Sequence, residues 1–126
     1  YEDTDVAGVV YYANYLRYFE RARTDWLRAI GAVHTELDAS HGLVFVVRDL
    51  AVDYIAPARL DDELVVDVRV LEARRATMQL AQCARRAGEE RPLVLSSVRV
   101  AAIDRSTGRP VGFPRWLAGR LAPMQA

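Results

Sequence analysis

Lysine is absent from this chain: all 17 of its basic residues are arginine. No lysine nucleophile or Schiff base is available. Any phosphate must therefore be met by arginine, histidine, hydroxyls or backbone N–H groups. An excess of charge is lacking too, because 17 acidic residues balance the 17 basic ones. Nothing in that balance points to nucleic acid or an anionic membrane surface, and zero net charge favours self-association over repulsion. Cysteine occurs once, as Cys83, which excludes an internal disulfide. No metal-ligand spacing surrounds it, and between apolar and small neighbours it reads as a small buried hydrophobe in a strand. There is no run of about 18 apolar residues, so no membrane span is expected. No signal-peptide pattern is visible in a sequence that opens at Tyr1 rather than Met.

What is present is the material for one ordinary domain over residues 1–126, 52% hydrophobic and 27% charged. A loop from Glu2 to Val10 carries Asp3, Asp5 and Gly8. A long helix is predicted near Ala13 to Ile30, because Tyr15, Phe19, Ala22, Trp26 and Ile30 recur at steps of three and four. Arg17, Glu20, Arg21, Asp25 and Arg28 fill much of its other side, Asn14 is a candidate cap, and Gly31 is a natural stop. A short helical turn is expected between Ala32 and Asp38. The pattern then changes to period two, with strands predicted over Leu43–Ile55, Glu63–Ala73, Thr77–Arg86 and Leu93–Asp104. Short connections imply antiparallel neighbours, and Pro57 with Asp61-Asp62 punctuates the first of them. Phe113 to Leu121 reads as a last helical turn. Tyr1 reads as the end of a further strand whose earlier residues are missing.

One long apolar-faced helix followed by four strands is an α+β arrangement. The helix needs a sheet to cover it. An open sheet has edges that proteins pair or cover, and these strands lack evident lysine or proline protection. Edge-to-edge dimerisation is the expectation.

Chemistry concentrates in the loop before the helix. It supplies carboxylates, a glycine that permits close backbone approach, and then a helix N-terminus with unpaired N–H groups and partial positive charge. That set suits acyl transfer: a carboxylate attacks a carbonyl or activates water, and N–H donors stabilise the oxyanion. By spacing alone, a capping or solvated carboxylate is the commoner outcome. Asp3-Thr4-Asp5 also admits a paired-aspartate metal reading, though the chain is short and shows no βαβ units. Glu2, Asp3 and Asp5 find no further ligand cluster.

Three runs of residues carry a resemblance: Tyr1-Glu2-Asp3-Thr4-Asp5, Gly8-Val9-Val10-Tyr11-Tyr12-Ala13-Asn14-Tyr15, and Phe19-Glu20-Arg21-Ala22-Arg23. They resemble the signature of hot-dog acyl-CoA thioesterases, in the branch of 4-hydroxybenzoyl-CoA and Tol-Pal-associated thioesterases. The match is dense over Tyr1 to Gly31. Beyond Gly31 it rests on the order of elements. The resemblance implies a hot-dog fold, a long central helix wrapped by a curved antiparallel sheet, joined into homodimers that pair into tetramers. It implies a cytoplasmic thioester hydrolase acting on an acyl-CoA or acyl-carrier-protein thioester, with no cofactor and no metal, coenzyme A being part of the substrate. Asp5 matches the catalytic aspartate, Gly8 the loop glycine, and Tyr12 the helix-start position whose N–H polarises the thioester carbonyl. Asp3 and Glu20 match positions read as structural. Tol-Pal-associated members carry His where this chain has Tyr12, which leaves the subfamily open.

Glu72-Ala73-Arg74-Arg75-Ala76-Thr77 resembles the segment that contacts the nucleotide phosphates of coenzyme A, so Arg74, Arg75 and Thr77 are candidate ligands. Arginine suits phosphate through bidentate hydrogen bonds, and a plain polar turn is the competing reading. Arg85 and Arg86 read as strand-end residues in solvent, and His34 and His41 as surface residues of the post-helix loop. Tyr11, Tyr12, Tyr15 and Tyr18 could line an acyl pocket, with core or interface an equal alternative for Tyr15 and Tyr18. No His lies within Ala13–Ile30, which argues against the dehydratases and hydratases of the same fold. A dimer that binds an acyl thioester without turnover is the alternative from a different class.

Overall fold

Helix-period and strand-period segments separate cleanly in the computed structural model, which describes residues 12–59 and 61–121. Helix α1 (Tyr12–Ala29) comes first, followed by α2 (His34–His41), and then strands β1 (Leu43–Tyr54), β2 (Leu64–Ala73), β3 (Thr77–Arg86) and β4 (Pro92–Asp104). A last helix, α3, spans Arg115–Leu121. Tyr1, Asp5 and Gly8, and with them the predicted preceding strand, lie outside the described residues.

The α1 stripe buries Tyr15, Phe19 and Leu27 almost completely. Gly31 ends the helix at φ 94°, in the left-handed region where a side chain is strained. Its N–H donates to the Arg28 carbonyl at 3.0 Å, and the Ala32 N–H donates to the Leu27 carbonyl at 2.7 Å. That pair of bonds is the Schellman stop. The helix start differs from expectation. Asn14 is buried within the first turn and accepts from the Arg17 side chain, so it is not the cap. His34 and His41 are the first and last residues of α2 and not loop residues.

The four strands form one antiparallel sheet in the order β1-β4-β3-β2. The expectation that β1 and β2 are neighbours is therefore wrong. The connection between them crosses the sheet end and leaves β1 on one edge and β2 on the other. Ile55 and Ala56 donate to the Leu93 carbonyl at 2.8 and 3.1 Å, and Arg86 donates to the Pro57 carbonyl at 2.8 Å. The crossing segment is thus stitched to the ends of β4 and β3 in turn. Asp62 pairs with Arg86 at 2.9 Å, which makes Arg86 an anchor of this segment instead of a solvated strand end.

Alternation sets the faces. Met78, Leu80, Gln82 and Ala84 of β3 point toward the helix side and are buried. Across the ladder they meet Val100, Val98, Ser96 and Val94 of β4. The larger core gathers Leu27, Met78, Leu80 and Val100 with Phe113, Leu117 and Leu121 from the α3 end. A smaller one gathers Tyr15, Phe19, Ala58, Ala84, Leu93 and Val94. Cys83 points to the opposite face of the sheet and is half-buried, not part of either core. Burial raises its thiol pKa, with Asp67 adding to the shift and Arg85 opposing it. None of the described helices is long and apolar enough to cross a membrane.

Candidate active site

The two cores fix which way α1 runs over the sheet. Its N-terminal turn packs over Ala84 and Val94, and its C-terminal turn packs over Met78 and Val100. Tyr12 opens the helix, so the backbone N–H groups of the first turn lack intrahelical acceptors. The positive end of the helix dipole stands there as well. The chain enters this turn from residues 1–11, which carry Asp5 and Gly8.

Beside the helix start runs the β1–β2 crossing segment. Its Asp62 Oδ2 accepts from the Arg59 N–H at 2.7 Å and from Arg86 Nε at 2.9 Å. The Arg59 bond first, and then the Arg86 guanidinium, hold the Asp62 carboxyl below the usual carboxylate range. Tyr15 stands against this cluster. Its ring centroid lies 6.0 Å from that of Tyr18 and 6.1 Å from that of Tyr54. Tyr15 is therefore core, as one of the two readings held. Tyr18 is half-buried and lines a groove of about 630 Å³ between α1 and β2, together with Asp25, Trp26, Asp62 and Val66.

Arg74 and Arg75 occupy the β2–β3 turn, and Thr77 opens β3. The turn is closed by the Arg74 N–H donating to the Thr77 carbonyl at 2.8 Å. The Ala76 and Arg75 carbonyls accept from Ala102 and Phe113, both at 2.8 Å, so the turn's backbone is held by β4 and the segment before α3. The Arg74 side chain pairs with Glu72, and both are exposed to solvent, where such a pair is worth little. Arg75 is exposed and packs against Gly112, where a Cβ would stand 3.2 Å from its Nη1.

Within one chain the helix start at Tyr12 and the arginine turn are not brought together. The helix start overlies Ala84, and the arginine turn lies at Thr77, the other end of β3. That stretch of strand is roughly 23 Å long at 3.3 Å per residue.

Sequence reasoning missed a polar contact between helix and sheet. Arg23, in the helix stripe, donates to Gln82 Oε1 at 2.8 Å, and Gln82 Nε2 donates to the Phe19 carbonyl at 2.9 Å. Gln82 is 1% exposed. Burial lowers the Arg23 pKa, and the Glu20 charge partly offsets the shift. Arg23 and Glu20 also line a pocket of about 90 Å³ with Thr24, Phe45 and Val47, between α1 and edge strand β1. The only signal available was an arginine at apolar spacing between Phe19 and Trp26. Among the described residues, no three His, Cys, Asp or Glu side chains gather as metal ligands.

A helix packed on one face of a four-stranded antiparallel sheet is an arrangement found in known proteins. The profile of the thioesterase-like superfamily matches residues 1–121. The chain belongs to that superfamily. It is 44% identical over 117 residues to the acyl-CoA thioesterase YbgC of Haemophilus influenzae, covering 91% of this chain and 83% of that protein. Among solved structures, a probable thioesterase from Bartonella henselae aligns with a TM-score of 0.80 at 35% identity, covering 89% of this chain and 90% of the other. A thioesterase from Thermus thermophilus, solved with coenzyme A and zinc, aligns with a TM-score of 0.79 at 27% identity, covering 99% and 88%. The α+β hot-dog architecture expected from the sequence is the one observed.

Proposed function

We propose that this protein hydrolyses an acyl-coenzyme A thioester to a carboxylic acid and free coenzyme A. The observation that carries this reading is the 44% identity, over nearly the whole chain, to an acyl-CoA thioesterase. In the reaction the acyl carbon–sulfur bond breaks, the hydroxyl of water ends on the acyl carbon, and a proton ends on sulfur. Asp5 is the carboxylate. It acts either as nucleophile, forming an anhydride that water opens, or as the base that takes a proton from water. The N–H at Tyr12 stabilises the oxyanion, and losing one such donor costs about 3 kcal/mol of transition-state stabilisation. Gly8 lets the loop backbone approach the ligand. Arg74, Arg75 and Thr77 meet the nucleotide phosphates. The presence of coenzyme A in the related Thermus structure supports that part of the reading.

The working form is a homodimer, and dimers pair into tetramers. Val47, Leu50 and Tyr54 are exposed on β1 and Ile55 just beyond it; β1 is an edge strand among the described residues, and an apolar edge favours pairing with a second copy. The separation of helix start and arginine turn within one chain favours a substrate that spans two copies. The protein works in the cytoplasm.

Thiol release from short, long and aromatic acyl-CoA esters, with wild type and Asp5→Asn side by side, tests the reading. Release from at least one ester, reduced about 10²-fold or more in Asp5→Asn, is expected. Turnover retained in Asp5→Asn would remove Asp5 from the chemistry. No release from any ester, while coenzyme A still raises Tm, would mean binding without turnover.

A further inference from the structure

Arg23 reaches inward from the middle of α1 and is half-buried, held there by Gln82, whose Oε1 accepts from it at 2.8 Å. Gln82 is itself 1% exposed and is anchored by its Nε2 donating to the Phe19 carbonyl. Among the described residues the guanidinium forms no ion pair. The Glu20 charge offsets only part of the lowering that burial imposes on its pKa. A cation drawn out of water is costly unless it is paired. A guanidinium also carries further N–H donors, in a planar fork that matches a carboxylate. Beside it opens the pocket of about 90 Å³ between α1 and β1. Leu27, Phe45, Leu80 and Val100 give that pocket hydrocarbon walls, and Thr24 and the exposed Glu20 also line it.

We propose that this pocket binds a short-chain monocarboxylate, with the carboxylate on the Arg23 guanidinium and the hydrocarbon tail against Leu27, Leu80 and Val100. An apolar cavity of about 150 Å³ holds benzene, so about 90 Å³ suits a tail of roughly three carbons, as in butyrate. Charge sets the rest of the selectivity. Arg23 calls for one negative charge, and Glu20 on the same lining repels a second, which favours monocarboxylates over dicarboxylates. The Gln82 bond keeps the guanidinium from swinging out to water, so the site is formed before the ligand arrives. A carboxylic acid is also what thioester hydrolysis releases, but this site stands on its own residues and needs no turnover.

Titration of the intact protein with sodium butyrate, read by calorimetry and by Tm, tests this. Saturable binding is expected, with affinity rising about fourfold per methylene from acetate to butyrate. Hexanoate, which outgrows the pocket, should gain nothing further. Butyramide, the uncharged analogue, and succinate should each bind about tenfold more weakly than butyrate or worse. Arg23→Gln should lose about tenfold in butyrate affinity. Thr24→Leu, which fills pocket space and leaves the guanidinium in place, should weaken butyrate as well. Equal binding of butyrate and butyramide by the wild type overturns the proposal, and that comparison requires no variant to fold. The absence of saturable butyrate binding overturns it too, as does butyrate affinity unchanged in both Arg23→Gln and Thr24→Leu. An Arg23→Gln protein that changes oligomeric state yet binds butyrate as before would assign Arg23 to the seam along β1 instead. None of these titrations uses an acyl-CoA, so their failure leaves the thioesterase reading untouched.

Discussion

The two ends of α1 sit in different kinds of surroundings. Around its C-terminal turn Met78, Leu80 and Val100 of the sheet and Leu117 and Leu121 of α3 form an apolar floor, and at the rim the Arg120 guanidinium donates to the Ile30 carbonyl. The helix stop there is complete, with both orphan carbonyls taken at Gly31 and Ala32. Around the N-terminal turn the apolar cluster is smaller, and polar groups crowd its border: the Tyr15 hydroxyl, the Asp62–Arg86 pair and the buried Asn14. One end is tied off by hydrogen bonds from Gly31, Ala32 and Arg120. At the other, the buried Tyr15 hydroxyl has no hydrogen-bond partner among the described residues. The larger core lies at one end of a single helix and the candidate chemistry beside the other, a division that lets each be changed with limited damage to its counterpart.

The hardest blow to that division is Leu117→Ala, which empties a fully buried position in the larger core. It should cost about 2–5 kcal/mol in urea denaturation, with kcat per folded molecule unchanged. An equal collapse of kcat in the folded fraction would show that the two ends are not separable. Gln82→Leu probes the boundary between them. It leaves the Phe19 carbonyl and the half-buried Arg23 without their sheet partner. A loss of about 1–3 kcal/mol is expected, and a loss near zero would mean that Arg23 turns out to water at no cost. The smallest effect belongs to Asp62 and appears as a pH dependence. Its folded-state carboxyl lies below the ordinary 3.8. Its stabilisation is therefore present above that value and lost as pH falls through the lower folded-state value. Tm curves of wild type and Asp62→Asn should differ above about pH 4 and converge in stronger acid. Parallel curves throughout would show that the pair contributes nothing through its charge.

What the sequence made legible follows from the range of each signal. Period-two alternation is local, so the bounds of β3 came out as observed and those of β2 within one residue. The α1 stripe and the Gly31 stop were equally local. Strand order was not local. Chain adjacency argued for β1 beside β2, and the observed β4 neighbour depends on a ladder from Leu43–Asp104 to Tyr54–Val94 that no short motif announces. Arg86 looked like a solvated strand end because its partners, Asp62 and Pro57, arrive from a distant segment. Arg23 and Gln82 were hidden for the same reason. Asn14 has the right residue type for a cap, but a cap depends on backbone position, and here the helix had already begun two residues earlier. The candidate site divides the same way: helix start and arginine turn were found from neighbouring residues, and their separation along β3 was not.

The crossing segment also constrains the order in which the molecule can assemble. Among the described residues, strand β1 pairs with β4 alone, and β4 is the last of the described strands to be made. Pairing across so much intervening chain is slow, because loop closure must come before any ladder bond is gained. The β2–β3–β4 meander, joined by short turns, can form first, and β1 then docks onto its finished edge. During synthesis β1 waits, with the backbone groups that will face β4 unpaired, until Asp104 has left the ribosome. The vulnerability of β1 to aggregation is therefore greatest in the nascent chain, and it falls when β4 pairs with one of its sides.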